Sequence, residues 1–226
     1  MIKRTTTGRL RLVALGALVV GLTAGCVDVV QYISGSGSDI NVYLRLTLQK
    51  AAFEMANEFS DDPEDPDEMF EEEFELDRDT VLEEMPPGID ADYRRVNDEF
   101  EYGFELSYSA PRSTLAALRG DEAAFVPRVT RNGMTIPLAP GNEAGEGAEA
   151  GEGGQGEEFA AAFLGGAKYR VFVSKMLVSR IRSARIASGG VTTEVTVIEL
   201  PDVWMVQFPV SLWLMSDDAS VLEISF

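Results

Sequence analysis

The chain has 226 residues, 38 acidic and 19 basic, with no histidine, one cysteine and a formal net charge of −19. That balance excludes a nucleic-acid partner, which needs clustered positive charge, and it excludes imidazole triads, His or Cys zinc sites and internal disulfides. Carboxylate chemistry and oxygen-ligand cations remain, on a chain that is 45% hydrophobic and long enough to bury one core.

Lys3, Arg4, Arg9 and Arg11 stand ahead of or beside the start of an apolar run, Leu12 to Leu22, and no acidic residue occurs before Asp28. A charged n-region, a short apolar segment and the small residues Thr23, Ala24 and Gly25 follow the order of a secretory signal. The run of about eleven residues is too short for a bilayer span, which needs roughly 20. Leu22-Thr23-Ala24-Gly25-Cys26 resembles the lipobox of bacterial lipoproteins, with Thr23 where leucine is commonest. The resemblance implies that residues 1–25 are a signal peptide and that the Cys26 thiol accepts a diacylglycerol. Residues 26–226 are then expected to be exported and held by palmitate-type acyl chains in an envelope membrane, the outer one favoured over the inner. Loss of the four basic residues of the leader would take the net charge from −19 to −23.

Val27 to Ser34 and Ile40 to Thr47, joined by Gly35-Ser36-Gly37-Ser38, read as a β-hairpin that starts beside Cys26. From Leu48 the period changes, with Leu48, Ala52, Met55, Ala56 and Phe59 forming one stripe of a helix that Pro63 and Pro66 end. A second helix is expected from about Asp67 to Glu84. Sixteen of the 31 residues from Glu54 to Glu84 are acidic, but no window has the glycine and glutamate spacing of an EF-hand, so a solvated acidic face is expected and no metal site is assigned.

Met85-Pro86-Pro87-Gly88 is a stop, and Ile89 to Val96 and Phe100 to Ser109 follow as strands. Phe100, Tyr102, Phe104, Leu106 and Tyr108 share one face, either the core side of an antiparallel sheet or the lining of an apolar ligand site. Ser113 to Arg119 is a short helix. Phe125 to Val129 and Met134 to Leu138 flank Arg131-Asn132-Gly133, whose Asn-Gly favours a primed hairpin turn. Residues 140–156 contain only small residues, Glu, Gln, Asn and Pro, with nothing to bury, and are expected to be a disordered insert. Glu157 to Leu164 is a further short helix.

The remainder reads as a meander with turns at Ser188-Gly189-Gly190 and Pro201-Asp202: Tyr169 to Val173, a segment from Lys175 to Ala187 that is strand or helix with strand favoured, then Val191 to Leu200, Val203 to Met215 and Val221 to Phe226. Lys168, Arg170, Lys175, Arg180, Arg182 and Arg185 occur here with no acidic residue between Glu158 and Glu194. This basic surface either packs near the acidic helices or faces lipid phosphates.

The expected fold is α+β: a single domain built on a mostly antiparallel sheet, with amphipathic acidic helices on one face. The order of lipidated cysteine, strand, Gly-Ser turn, strand and helix is loosely similar to LppM-type lipoproteins, and the mature chain resembles spirochaete envelope lipoproteins. The carboxy-terminal membrane helix common in the LppM type is missing from the sequence, so no residue roles are carried over. Cys26 is the single site residue assigned, as a lipidation site; no catalytic residue and no cofactor is assigned. The expected function is a non-enzymatic lipoprotein with an interaction or structural role, anchored by lipid and meeting a protein partner in the envelope. The alternatives are a binder of lipid or another apolar ligand between sheet and helices and a carboxylate-dependent hydrolase.

Overall fold

The computed structural model describes residues 27–36, 38–51, 78–83, 85–118, 124–138, 166–214, 216 and 218–226. Cys26 and the expected leader, most of the acidic segment, and the Gly/Glu-rich insert with the expected helix after it lie outside these residues. The described residues are mostly strand, in two sheets that are mostly antiparallel rather than the one sheet expected.

The strands are β1 (Val27–Ser36), β2 (Asp39–Gln49), β3 (Ala91–Asn97), β4 (Glu101–Pro111), β5 (Arg128–Val129), β6 (Gly133–Leu138), β7 (Lys168–Ser174), β8 (Ser183–Ser188), β9 (Val191–Glu194), β10 (Thr196–Glu199), β11 (Val203–Pro209) and β12 (Ser220–Ser225). Among the described residues, three short helices join them: α1 (Arg78–Glu83), α2 (Arg112–Ala117) and α3 (Ser211–Leu214). The larger sheet runs β10-β11-β7-β1-β2-β4-β3 and the smaller β5-β6-β12-β8-β9.

The first hairpin forms as its alternation demands. Ser36 pairs with Asp39 and Val27 with Leu48, and Val29, Ile33, Val42 and Leu44 turn inward. Leu48 was expected to open a helix, but it is the last inward residue of β2 and is 4% exposed. Its partners Val27 and Tyr102 on the flanking strands extend the ladder beyond the point where the helical period begins. The expected helix of 67–84 is described only as α1, whose Val81 and Leu82 pack on the core.

β7 lies parallel to β1, with Val29 beside Tyr169 and Ile33 beside Val173. β1 is therefore central, and a segment far along the chain completes its second flank. The expected meander does not form, because the chain crosses between sheets. Val191 to Leu200 is broken at Val195: the preceding residues pair with β8 in the small sheet and those after it with β11 in the large one. The half-buried Val195 packs on the core at the crossing. Lys175 to Arg182 is an irregular connection, so the strand favoured over 175–187 exists only from Ser183. Likewise β11 stops at Pro209, and α3 replaces the rest of the expected strand.

Two turns show what glycine does here. Gly189 and Gly190 both have positive φ, 55° and 78°, as a primed turn requires, and they close the β8–β9 hairpin. Asn132 and Gly133 do not, so the primed turn expected there is absent. Gly133 starts β6, where a Cβ would stand 2.6 Å from the Ile224 carbonyl oxygen, so close approach to β12 rather than turn geometry requires it.

The inner faces of both sheets share one core, from Val29, Ile33, Leu44 and Val171 to Ile136, Ile186, Leu222 and Ile224. At its middle lies Gln31, fully buried. Its amide nitrogen donates to the Phe125 carbonyl at 2.7 Å, and its oxygen accepts from the Tyr169 hydroxyl. Phe125 has a left-handed backbone, φ 63°, and its ring meets Tyr169 and Trp213. Tyr169→Phe keeps the ring packing but leaves the Gln31 oxygen unpaired. It is expected to cost about 1–3 kcal/mol, read as a lower urea midpoint at unchanged slope.

Candidate functional site

Cys26 lies outside the described residues; what the fold places is its neighbour. Val27, covalently next to it, is already paired with Leu48 and is 7% exposed. The residue after the expected lipidation site is therefore already part of the sheet.

The aromatic alternation of β4 serves packing. Tyr102, Phe104, Leu106 and Tyr108 are 3–6% exposed and face the core, while Phe100 lies in the turn ahead of the strand and is 70% exposed. Burial drives the Tyr108 pKa far above the ordinary tyrosine range, and this hydroxyl, like the Trp213 indole nitrogen, has no hydrogen-bond partner among the described residues.

The outward face of the large sheet is where side chains with recognition chemistry gather. The registers set Ile198, Met205, Phe172, Tyr32 and Tyr43 in one row across five adjacent strands, continued by Ser107 and Asp92. Directly paired residues on neighbouring strands are in side-chain contact range. Tyr32 is 40% exposed and Ile198 36%, with the other apolar members half-buried. At the tyrosine end an open groove of about 340 Å³ is lined by Tyr32, Ser34, Asn41, Tyr43, Ser107 and Ser109, together with Val42 and Tyr108. None of these eight residues is charged, on a chain of which a quarter is.

A charged row flanks the groove. Arg45 meets Glu101 in an ion pair, Arg94 bonds Glu105 at 2.6 Å, and Arg45 Nε stands 3.5 Å from the other Glu105 oxygen. The Tyr43 hydroxyl is raised above the ordinary tyrosine value by burial and by its hydrogen bond to Glu105. Glu105 is thus taken up by two guanidinium groups and a phenol, which fixes Tyr43 and leaves the carboxylate engaged in structure. Such surface pairs contribute about 0–1 kcal/mol each, so their main effect is positional.

The basic run of the carboxy-terminal third is dispersed. Arg170 pairs with Asp28 at 2.7 Å, Lys175 with Glu199 at 2.7 Å and Arg185 with Glu223 at 2.6 Å. These three partners are strand residues, and the acidic segment against which the run was expected to pack lies mostly outside the described residues. Arg180 and Arg182 are exposed in the connection after β7, and Lys168 is exposed at the opposite end of that strand. Among the described residues, no cluster of three or more Asp, Glu, His or Cys side chains could hold a metal ion, and no helix is long and apolar enough to cross a membrane.

At the base of the charged row, the Asp98 carboxylate accepts the Phe100 and Glu101 backbone N–H groups, both at 2.8 Å. These bonds hold its pKa below the ordinary aspartate value. A depressed folded value gives stability that is present above the unfolded pKa of about 3.9 and lost as pH falls through the folded one. Asp98→Ala is therefore expected to lower the urea midpoint at neutral pH, with the gap to wild type closing as the medium is acidified below that range.

No protein-family model, curated protein or solved structure matches the chain.

Proposed function

We propose that the chain is an exported lipoprotein of the bacterial envelope, anchored by acyl chains on Cys26, that acts by interaction and performs no catalysis. The lipobox-like sequence supports the anchor. The observation that carries the interaction role is the uncharged Tyr, Ser and Asn groove around Tyr32 and Tyr43. Tyrosine supplies rigid amphipathic contact area at low entropy cost, and serine and asparagine supply adaptable hydrogen bonds. On a surface otherwise rich in carboxylates, such a patch suits contact with another envelope component. We further propose that the acidic segment 54–84 adds amphipathic helices to one face of the β framework, giving the α+β form. The reading as a carrier of apolar ligands draws no support from β4, whose aromatic face is spent on the core.

Cys26→Ser tests the anchor: it is expected to abolish metabolic labelling with palmitate and release the protein from the membrane fraction, and labelling that survives would overturn it. For the face, a photo-crosslinking amino acid at position 32 is expected to give a discrete adduct in intact envelopes that Tyr43→Ala weakens severalfold. The same group at position 128, exposed on the edge strand of the small sheet, is expected to give none. Equal or absent crosslinking at the two positions would remove the groove from the function.

A further inference from the structure

The registers define which turns share the end of the domain next to Cys26. Val27 pairs with Leu48 and Leu48 with Tyr102, so the β3–β4 turn carrying Phe100 lies there. Asp28 is level with Lys168, and Lys168 with Pro209, so α3 follows at the same end. After α3 the chain enters β12 at Ser220, level with Ser188, and Ser188 pairs with Val191 across the Gly189–Gly190 turn. A hydrogen bond between the Ser188 and Ser216 hydroxyls ties that turn to the segment after α3. Three separate segments at the Cys26 end, the β3–β4 turn, the start of β9 and α3, thus each expose one large apolar side chain: Phe100 at 70%, Val191 at 67% and Leu212 at 36%. Met176, 88% exposed, follows β7 at the opposite end, and so do Arg180 and Arg182.

We infer that this end is the footing on which the domain rests against the lipid surface, with Phe100, Val191 and Leu212 entering the headgroup boundary. The inference depends on the reading of Cys26 as the anchor. Adjacent Cα atoms are about 3.8 Å apart, so an acylated Cys26 leaves this end no spacer, and the bilayer is the apolar medium within reach of all three segments. Charge does not favour the contact: among the described residues Lys50 and Lys168 share this end with Asp98, Glu99 and Asp218, and the acidic stretches that follow Ala51 and Leu138 leave the fold here, while the exposed arginines 180 and 182 face away. The contact is therefore apolar and insensitive to salt. Three such side chains do not hold a protein on a bilayer by themselves; they fix its tilt once the acyl chains have delivered it.

Because Cys26 is the single cysteine and is blocked by lipid in this reading, an introduced cysteine can be labelled alone. Full-length lipidated Phe100→Cys, Val191→Cys, Leu212→Cys and Met176→Cys, each carrying an environment-sensitive dye, would be reconstituted into phosphatidylcholine vesicles with headgroup-level nitroxide quencher. The first three labels are expected to emit at shorter wavelength and to be quenched severalfold more than the label at 176, equally at low and high salt. Vesicle-bound protein in which all four labels report water overturns the footing and leaves the anchor standing. Protein that neither incorporates palmitate nor stays with the vesicles overturns the anchor and the footing together.

Discussion

The side-chain amide of Gln31 joins the two sheets through the interior, and much of the architecture depends on that join. It projects from the central strand of the large sheet, takes the hydroxyl of Tyr169 from the adjacent strand and gives its N–H to the carbonyl of Phe125, just ahead of the small sheet. A buried amide is tolerated only when both ends are paired, so these bonds specify one relative placement of β1, β7 and the approach to β5. The left-handed backbone of Phe125 is part of the same arrangement: it turns the carbonyl to Gln31 and the ring onto Tyr169 and Trp213. Apolar packing alone would hold the sheets together but would leave their alignment less specified.

Local pairing was legible in the residues and sheet membership was not. The hairpin of β1 and β2, the β3–β4 pair and the Gly189–Gly190 turn follow from period-two alternation and turn chemistry, both of which act over a few residues. The parallel β1–β7 pair joins residues about 140 apart, and nothing in the alternation of Tyr169 to Val173 says which strand it will flank. The same limit explains Val191 to Leu200, a run that satisfies either sheet and in fact serves both. Leu48 shows two periods competing for one residue: cross-strand partners on both sides hold it in β2, and helix begins only at Lys50.

The groove was hidden for a different reason. Its residues are the outward members of strands that were read for their inward ones, so Tyr32, Ser34, Asn41 and Tyr43 passed as the polar half of an alternation. Two outward tyrosines at directly paired positions of a hairpin were the available signal, and register is needed to see it. Cys26, by contrast, was assigned from a linear pattern that owes nothing to folding. The basic run, read as one surface, is divided by the fold. Strand geometry sends alternate residues to opposite faces and connects ends that lie far apart, so Arg170, Lys175 and Arg185 each meet a different carboxylate.

The position of β1 also has a mechanical meaning. A protein tethered at Cys26 feels any pull between its domain and the membrane first at Val27, along the axis of β1. That strand is bonded on one flank to β2 and on the other to β7 over most of its length. Force along a strand held on both sides shears many backbone hydrogen bonds at once instead of peeling them singly. A tether at Cys26 would thus load a strand that resists pulling, a resistance set by the unfolding rate and not by equilibrium stability.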